Sequence, residues 1–245
     1  MTHSSPYQAN GPSGVLLVDK AQEMTSHDVV AIARRSLNTK KIGHCGTLDP
    51  MATGLLMLVI GSATKIQDLL MSEDKQYVGK LTLGVSTSTQ DRQGEAIATR
   101  EVPAFERSAI EKAFNQFTGP FEQIPPMVSA IKKDGVPLYK LARKGIEIVR
   151  EPRPVHVTSH TITAIELPDV VFTVDCSKGF YVRTYAHDIG EVLGCGAHLS
   201  DLRRTRSGKF TLDRAVTIDD LKSLPREELY QKIISLAEIS LMRGA

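Results

Sequence analysis

The segment Gly43-His-Cys-Gly-Thr-Leu-Asp-Pro-Met-Ala-Thr-Gly54 concentrates more potential chemistry than any other stretch of the chain. Its glycines allow tight turns and close approach of a ligand to the backbone. Pro50 biases Asp49 toward an extended conformation, so the carboxylate stands on a stiff loop rather than a helix. A carboxylate positioned in this way can serve as a nucleophile or a base. Asp-Pro is also a common turn initiator, in which the aspartate hydrogen-bonds its own backbone. The segment alone leaves both readings open.

Other chemistries fit less well. Acid–base glycoside hydrolysis normally uses two carboxylates, and no second acid lies near Asp49 in the sequence. No Gly-x-x-x-x-Gly-Lys-[Ser/Thr] string is present to cradle a nucleotide phosphate. Cys195-Gly-Ala-His198 has a plausible bite for zinc. Its partners would be the adjacent pair His44 and Cys45, whose geometry is poor for one ion. A buried thiol and a surface imidazole account for these residues equally, and no metal site is expected.

The elements that must hold this loop are legible in part. Gly14–Val18 is apolar throughout and reads as a strand. Thr25 or Ser26 can cap a helix in which Val29, Ala33 and Leu37 recur every fourth position. After the Gly43–Gly54 loop, Leu55–Ile60 reads as a buried strand, and Ile66, Leu69 and Leu70 mark one face of a helix after Ser62. Tyr77, Gly79, Leu81, Leu83 and Val85 alternate as a half-buried strand. Ile110, Ala113, Phe114 and Phe117 predict a helix; Val170, Phe172, Val174 and Cys176 predict a strand. The latter leads through Ser177–Gly179 into a helix carrying Val182, Tyr185, Ala186, Ile189, Val192 and Leu193. A last amphipathic helix is expected from Pro225. Strands and helices mix without βαβ regularity, so the class is α+β.

At 245 residues, 41% hydrophobic and 24% charged, the chain suits one sizeable globular domain and is too apolar for a disordered one. Its longest apolar run, Leu55–Ile60, is far short of the ~20 residues that span a bilayer. Met1–Ser13 is polar and reads as a loose tail, neither signal peptide nor transit sequence. Three widely spaced cysteines argue against a disulfide framework and favour the reducing cytoplasm. The formal net charge is only +2, yet residues 132–153 alone carry +4, bracketed by prolines 125, 126 and 137 and by Gly145. Lys140, Arg143 and Lys144 would align on one face of a short helix. Arg203, Arg204, Arg206 and Lys209 form a second cluster. Each is a solvated surface or, taken together, a polyanion footprint.

His44-x-Gly-Thr-Leu-Asp-Pro-x-Ala-x-Gly-x-Leu56 resembles the active-site motif of the TruB family of tRNA pseudouridine synthases. Gly14–Lys20 is similar to that family's first motif, and Lys75-x-Tyr77 to its tyrosine motif. Pro125-Pro-Met-Val-Ser-Ala130, with Lys132, Gly135, Tyr139, Ala142, Arg143 and Gly145, is similar to its insertion. Ser177–Thr184, with Asp188-Ile-Gly190, is similar to the third motif, and Leu202-Arg-Arg204 to its sequel.

The resemblance implies a pseudouridine synthase fold, with a mixed, mainly antiparallel central sheet flanked by helices and a basic thumb insertion at 124–153. It implies isomerisation of uridine at position 55, in the T-arm of tRNA, without metal or organic cofactor. Asp49 matches the essential aspartate, Arg183 the arginine that ion-pairs it, and Tyr77 the tyrosine that stacks on the target base. Tyr181 and Leu202 match further pocket walls, Lys20 a support behind the loop, and His44 the ring that enters the vacated base stack. Lys132, Lys140, Arg143, Lys144, Arg203 and Arg204 are the expected phosphate contacts. No membrane and no obligate protein partner is implied. With 5% aromatics and no Trp, recognition of a folded arm by shape fits better than single-strand stacking.

Two departures qualify the match. Ala21 follows Lys20 where the family usually has proline, which loosens that loop without touching the chemistry. Residues 214–245 are expected as a short segment after a catalytic domain at 14–213, too short for the PUA-type RNA-binding domain of many bacterial relatives, so affinity should be weaker and more salt-sensitive. The rivals are a non-catalytic RNA-binding or chaperone protein and a hydrolase with Asp49 as covalent nucleophile. The first has no use for Asp49, Tyr77 and Arg183 together; the second lacks a second acid or metal.

Overall fold

The computed structural model describes residues 11–129, 131–133 and 135–244; it divides into two units, Met1–Glu73 with Arg203–Ala245, and Asp74–Leu202. In chain order the elements are β1 (Gly14–Lys20), α1 (Ser26–Ser36), β2 (Ile42–Cys45), β3 (Thr53–Ile60), α2 (Gln67–Met71), β4 (Lys75–Leu83), β5 (Val85–Thr87), β6 (Ala96–Thr99) and α3 (Arg107–Asn115). Then come β7 (Gly119–Gln123), β8 (Lys132–Lys133), β9 (Val136–Pro137), α4 (Leu138–Ala142), β10 (Arg153–Glu166), β11 (Asp169–Cys176) and α5 (Val182–Val192). Last are β12 (Ala197–Ser207), β13 (Phe210–Thr211), β14 (Val216–Thr217), α6 (Ile218–Ser223), α7 (Arg226–Gln231) and α8 (Leu236–Arg243).

In the first unit, β1 and β3 pair antiparallel with Val15 opposite Val59 and Lys20 opposite Gly54. Both strands are apolar on both faces because each face is covered, and nearly every residue is buried. β2 adds antiparallel to β3, while β14 joins β1 and the end of β12 joins β3 in parallel. Val15, Leu17, Leu55, Met57 and Val59 form the core with Leu70, Phe210, Ile234 and Ile239. Thr25 caps α1 in a capping box with Asp28, which removes orphan backbone donors at the helix start.

The second unit lays β4, β11, β10 and β7 side by side, with the start of β12 beside β4. The pairs β4–β11, β10–β11 and β7–β10 are antiparallel. Tyr77, Gly79, Leu81 and Leu83 face inward together with Val170, Phe172, Val174 and Cys176. Gly79 is there for space: a Cβ would lie 2.6 Å from the Phe172 ring. Tyr185 of α5 sits among Phe114, Phe117, Phe172 and Phe180 at edge-on or tilted angles, the geometry that aromatic quadrupoles favour. The α+β reading and the mixed, mainly antiparallel sheet hold.

Several local expectations change. Of the tail expected at 1–13, residues 1–10 lie outside the described residues, but Pro12 is buried and Ser13 Oγ accepts the Ser62 N–H at 3.1 Å. Gly43–Cys45 is strand rather than loop, and Leu69 is 48% exposed because α2 is only one turn long after a 3-10 turn. The C-terminal helix is broken into α7 and α8, since Ile234 leaves the helix to exchange backbone hydrogen bonds with Val15. Residues 214–245 therefore belong to the first unit's core. In the insertion, α4 ends at Ala142, so Arg143 caps it and Lys144 lies beyond; Ala130, Asp134 and the side chain of Lys132 lie outside the described residues.

Candidate active site

The loop between β2 and β3 carries Asp49, and it is pinned from three directions. Ser26 Oγ, at the start of α1, accepts the Leu48 N–H at 2.9 Å and donates to the Leu48 carbonyl at 3.2 Å. Ala52 N–H donates to the Asp49 carbonyl at 3.0 Å, closing a tight turn. Lys20, fully buried at the end of β1, donates from Nζ to the carbonyls of Ala21 and Met24 at 2.8 Å and of Pro50 at 3.3 Å. Burial pushes the Lys20 ammonium down to about 8; the Asp49 carboxylate opposes that shift and the Arg204 guanidinium adds to it.

Arg204 is the third brace, and it corrects the expectation of a phosphate contact. It is 1% exposed. Its Nε donates to the Leu55 carbonyl at 2.7 Å and its Nη2 to the Gly46 carbonyl at 3.1 Å, so one fork ties together both ends of the Asp49 loop. In the β3–β12 pairing Arg204 faces Gly54, whose φ of +94° and the 2.2 Å left between a Cβ and the Arg204 carbonyl oxygen admit only glycine. The neighbouring Arg203 is half-buried and donates two hydrogen bonds to the Asp19 carboxylate, at 2.6 and 3.0 Å. The second basic cluster thus loses one cation to the interior and shares another with an acid.

His44 is half-buried on β2, with the His27 ring packed edge-on at 5.2 Å and 84°. Burial first, then His27 and Arg204, holds its imidazole down to about 4. The ring is neutral at physiological pH.

In the second unit, Arg183 opens α5 at 4% exposure, with more restraint than a residue free to swing. It donates to the carbonyls of Thr89 at 3.1 Å and Val128 at 2.7 Å, and lies 3.7 Å from the Asp91 carboxylate. Asp91 is itself buried at 4% and accepts from Thr89 Oγ1 at 2.6 Å and Gln93 N–H at 2.9 Å. Sequence reasoning missed this acid. Nothing in Thr89-Gln-Asp-Arg-Gln93 marks it beyond a carboxylate in a polar turn.

Tyr77 is 8% exposed on β4 opposite Val174. Tyr181 is half-buried at the entry to α5, where buried Gln123 grips its backbone with bonds of 2.8 and 3.1 Å. Leu202 is buried. Lys140, Arg143 and Lys144 are exposed, with the Arg143 guanidinium 5.5 Å from the Tyr139 ring. Asp49, Lys20, His44 and Arg204 are thus gathered in the first unit; Arg183 and Asp91 meet in the second, which also holds Tyr77, Tyr181 and Leu202. Among the described residues no three His, Cys, Asp or Glu side chains cluster as a metal site, and no helix is long and apolar enough to cross a membrane.

Comparison with known proteins gives one family throughout. Residues 34–182 match the TruB family pseudouridylate synthase N-terminal domain, and residues 183–241 match the tRNA pseudouridylate synthase B C-terminal domain. A protein of Opitutus terrae named tRNA pseudouridine synthase B is 55% identical over 221 residues, covering 90% of this chain and 92% of that one. Its namesake in Syntrophotalea carbinolica is 47% identical, over 92% of this chain and 74% of its own. Among solved structures, an archaeal box H/ACA sRNP Nop10-Cbf5 complex superposes with a TM-score of 0.68 at 30% identity. An H/ACA RNP bound to a substrate RNA containing 2′-deoxyuridine gives 0.67, also at 30%. These cover 94% and 91% of this chain, which spans 61% and 58% of theirs. A motif string, a braced aspartate loop and two consecutive domain matches converge: the chain belongs to the TruB family of pseudouridylate synthases.

Proposed function

We propose that this protein converts uridine to pseudouridine in the T-arm of tRNA, at position 55, with Asp49 as the essential carboxylate. The observation that carries this reading is the loop itself. The loop that carries Asp49 is held by a buried ammonium at Pro50 and by a buried guanidinium at Gly46 and Leu55. The reaction breaks the bond from uracil N1 to the sugar, turns the ring and joins C5 to the same carbon; C5 then gives up its hydrogen as a proton and N1 takes one up. One carboxylate suffices, because no water has to be activated opposite a protonated leaving group.

A base stacked in a folded arm must first be extruded, at a cost of about a few kcal/mol. His44 is assigned to the vacated stack, where a neutral ring avoids burying charge. By the resemblance of their motifs to the family's, Tyr77 is assigned to stacking on the extruded base, Tyr181 and Leu202 to walling it, and Arg183 to keeping the carboxylate ionised. Asp91 orients Arg183 by taking one side of its guanidinium. Lys132, Lys140, Arg143 and Lys144 of the insertion contact phosphates and supply affinity rather than selectivity. The catalysis needs no metal or organic cofactor and takes place in the cytoplasm, where the three cysteines stay reduced.

The test is a T-arm transcript carrying 5-tritiated uridine. Wild-type protein should release tritium, and carbodiimide mapping should place one pseudouridine at position 55. Tight binding with no tritium release would replace this reading with the RNA-chaperone one.

A further inference from the structure

The strongest unassigned charge in the first unit lies at Arg34-Arg-Ser-Leu-Asn-Thr-Lys-Lys41, four cations in eight residues with no acid. It is denser than the insertion, and unlike the Arg203–Arg204 pair it survives folding as open charge. Arg34, Arg35, Lys40 and Lys41 are all exposed. Arg34 donates to the Ile42 carbonyl at 2.9 Å. The side chains of Arg35, Lys40 and Lys41 make no hydrogen bond or ion pair among the described residues.

The segment is a fixed turn, not a loose tail. Leu37 is buried, Asn38 takes a φ of +47°, and the N–H groups of Leu37, Asn38 and Thr39 return to the carbonyls of Ala33, Arg35 and Arg34. Tyr230 Oη and Arg226 Nε, from α7, donate to the carbonyls of Leu37 and Ser36. The end of α1 is therefore already satisfied. Two last-turn arginines complement the helix dipole, but Lys40 and Lys41 lie beyond the cap and gain nothing from it.

We propose that Arg35, Lys40 and Lys41 form a phosphate track for the RNA strand that receives His44. Lys41 is three residues from His44, at most about 11 Å between Cα atoms, and Ile42 N–H donates back to the Lys40 carbonyl at 3.1 Å, so the chain turns just before the strand that carries His44. A strand opened at His44 carries its flanking phosphates within reach of a lysine so placed. Four exposed cations within eight residues, on a chain of net charge only +2, concentrate positive charge where a polyanion can use it. This rests on the reading of His44 given above.

The test uses full-length protein with Arg35, Lys40 and Lys41 changed to Gln, a labelled T-arm stem-loop RNA, and a salt series. A control variant changes the exposed Lys112, Lys222 and Lys232 to Gln. Neutralising three phosphate contacts should weaken binding roughly 10-fold or more near 0.1 M salt and lower the slope of log K against log salt by about 2–3. The single-turnover rate at saturating RNA should be unchanged. An unchanged slope, an equal loss in the control variant, or a fall in the saturated rate without a change in Kd would each overturn the track. Tritium release by wild type on the same RNA keeps the two readings apart: its absence condemns the proposed function, whereas its presence with unaltered binding by the variant condemns the track alone.

Discussion

Replacing Arg204 with Met separates a buried brace from a surface charge. The substitution keeps the length and apolar stem of the side chain but removes both donors, leaving the carbonyls of Gly46 and Leu55 without their bonds at 3.1 and 2.7 Å. Hydrogen bonds from a charged donor are worth about 1.5–3 kcal/mol each, so the loss of two should reach about 3–6 kcal/mol. In a protein of this size that lowers Tm by roughly 6–24 °C. Arg203→Met is the internal control, since an ion pair that is about one-third exposed contributes about 1 kcal/mol or less. Urea unfolding of the two variants beside wild type gives the comparison directly. Arg204→Lys restores the charge without the fork and should recover only part of the loss, because one ammonium cannot replace a planar two-point donor. Equal destabilisation by the Arg203 and Arg204 variants, or a loss below about 1 kcal/mol for Arg204→Met, would refute the reasoning.

Further outcomes follow from the same geometry. Burial lowers Lys20 from 10.5 to about 8, so between those values the folded protein binds fewer protons than the unfolded chain and stability gains with rising pH. The stability difference between wild type and Lys20→Met should therefore grow by at most about 3 kcal/mol across that window in urea melts, and a flat difference would contradict it. His44, lowered from 6.5 to about 4, should show no NMR inflection between about pH 5.5 and 7.5, and its burial should make stability rise with pH from about 4 to 6.5. A titration midpoint near 6.5 would place the ring in water. Asp91→Asn should slow single-turnover conversion roughly 10- to 100-fold with RNA affinity nearly kept, because the carboxylate 3.7 Å from Arg183 is lost. An unchanged rate would remove Asp91 from the site.

What could be read in advance followed from how each signal is encoded. β3 and β11 were legible because unbroken or alternating apolar residues have few other solutions, and the Asp49 loop because its string is long and specific. β12 was not, since its alternation slips at exposed Asp201, between Leu199 and Leu202, and resumes with a charged residue, the buried Arg204. A charge in a sequence does not announce its burial, and so Arg204 read as a phosphate contact. Asp91 was hidden for the complementary reason: its partner Arg183 is 92 positions away, and only folding shows that they meet. The break between α7 and α8 depends on Ile234 finding Val15, a contact that no local propensity contains. Arg34–Lys41 went unread because a basic turn beside a helix is usually only solvated surface. Its significance appears once Arg203 and Arg204 are seen to be engaged elsewhere.

A conservative change at the loop's single acid is the most direct trial of the account. Asp49→Asn keeps the shape of the side chain and leaves the braces from Lys20, Ser26 and Arg204 in place. It should fold and bind the T-arm RNA as wild type does, yet release no tritium from 5-labelled uridine even with enzyme in excess. Measurable pseudouridine formation by that variant would contradict the claim that this carboxylate performs the chemistry.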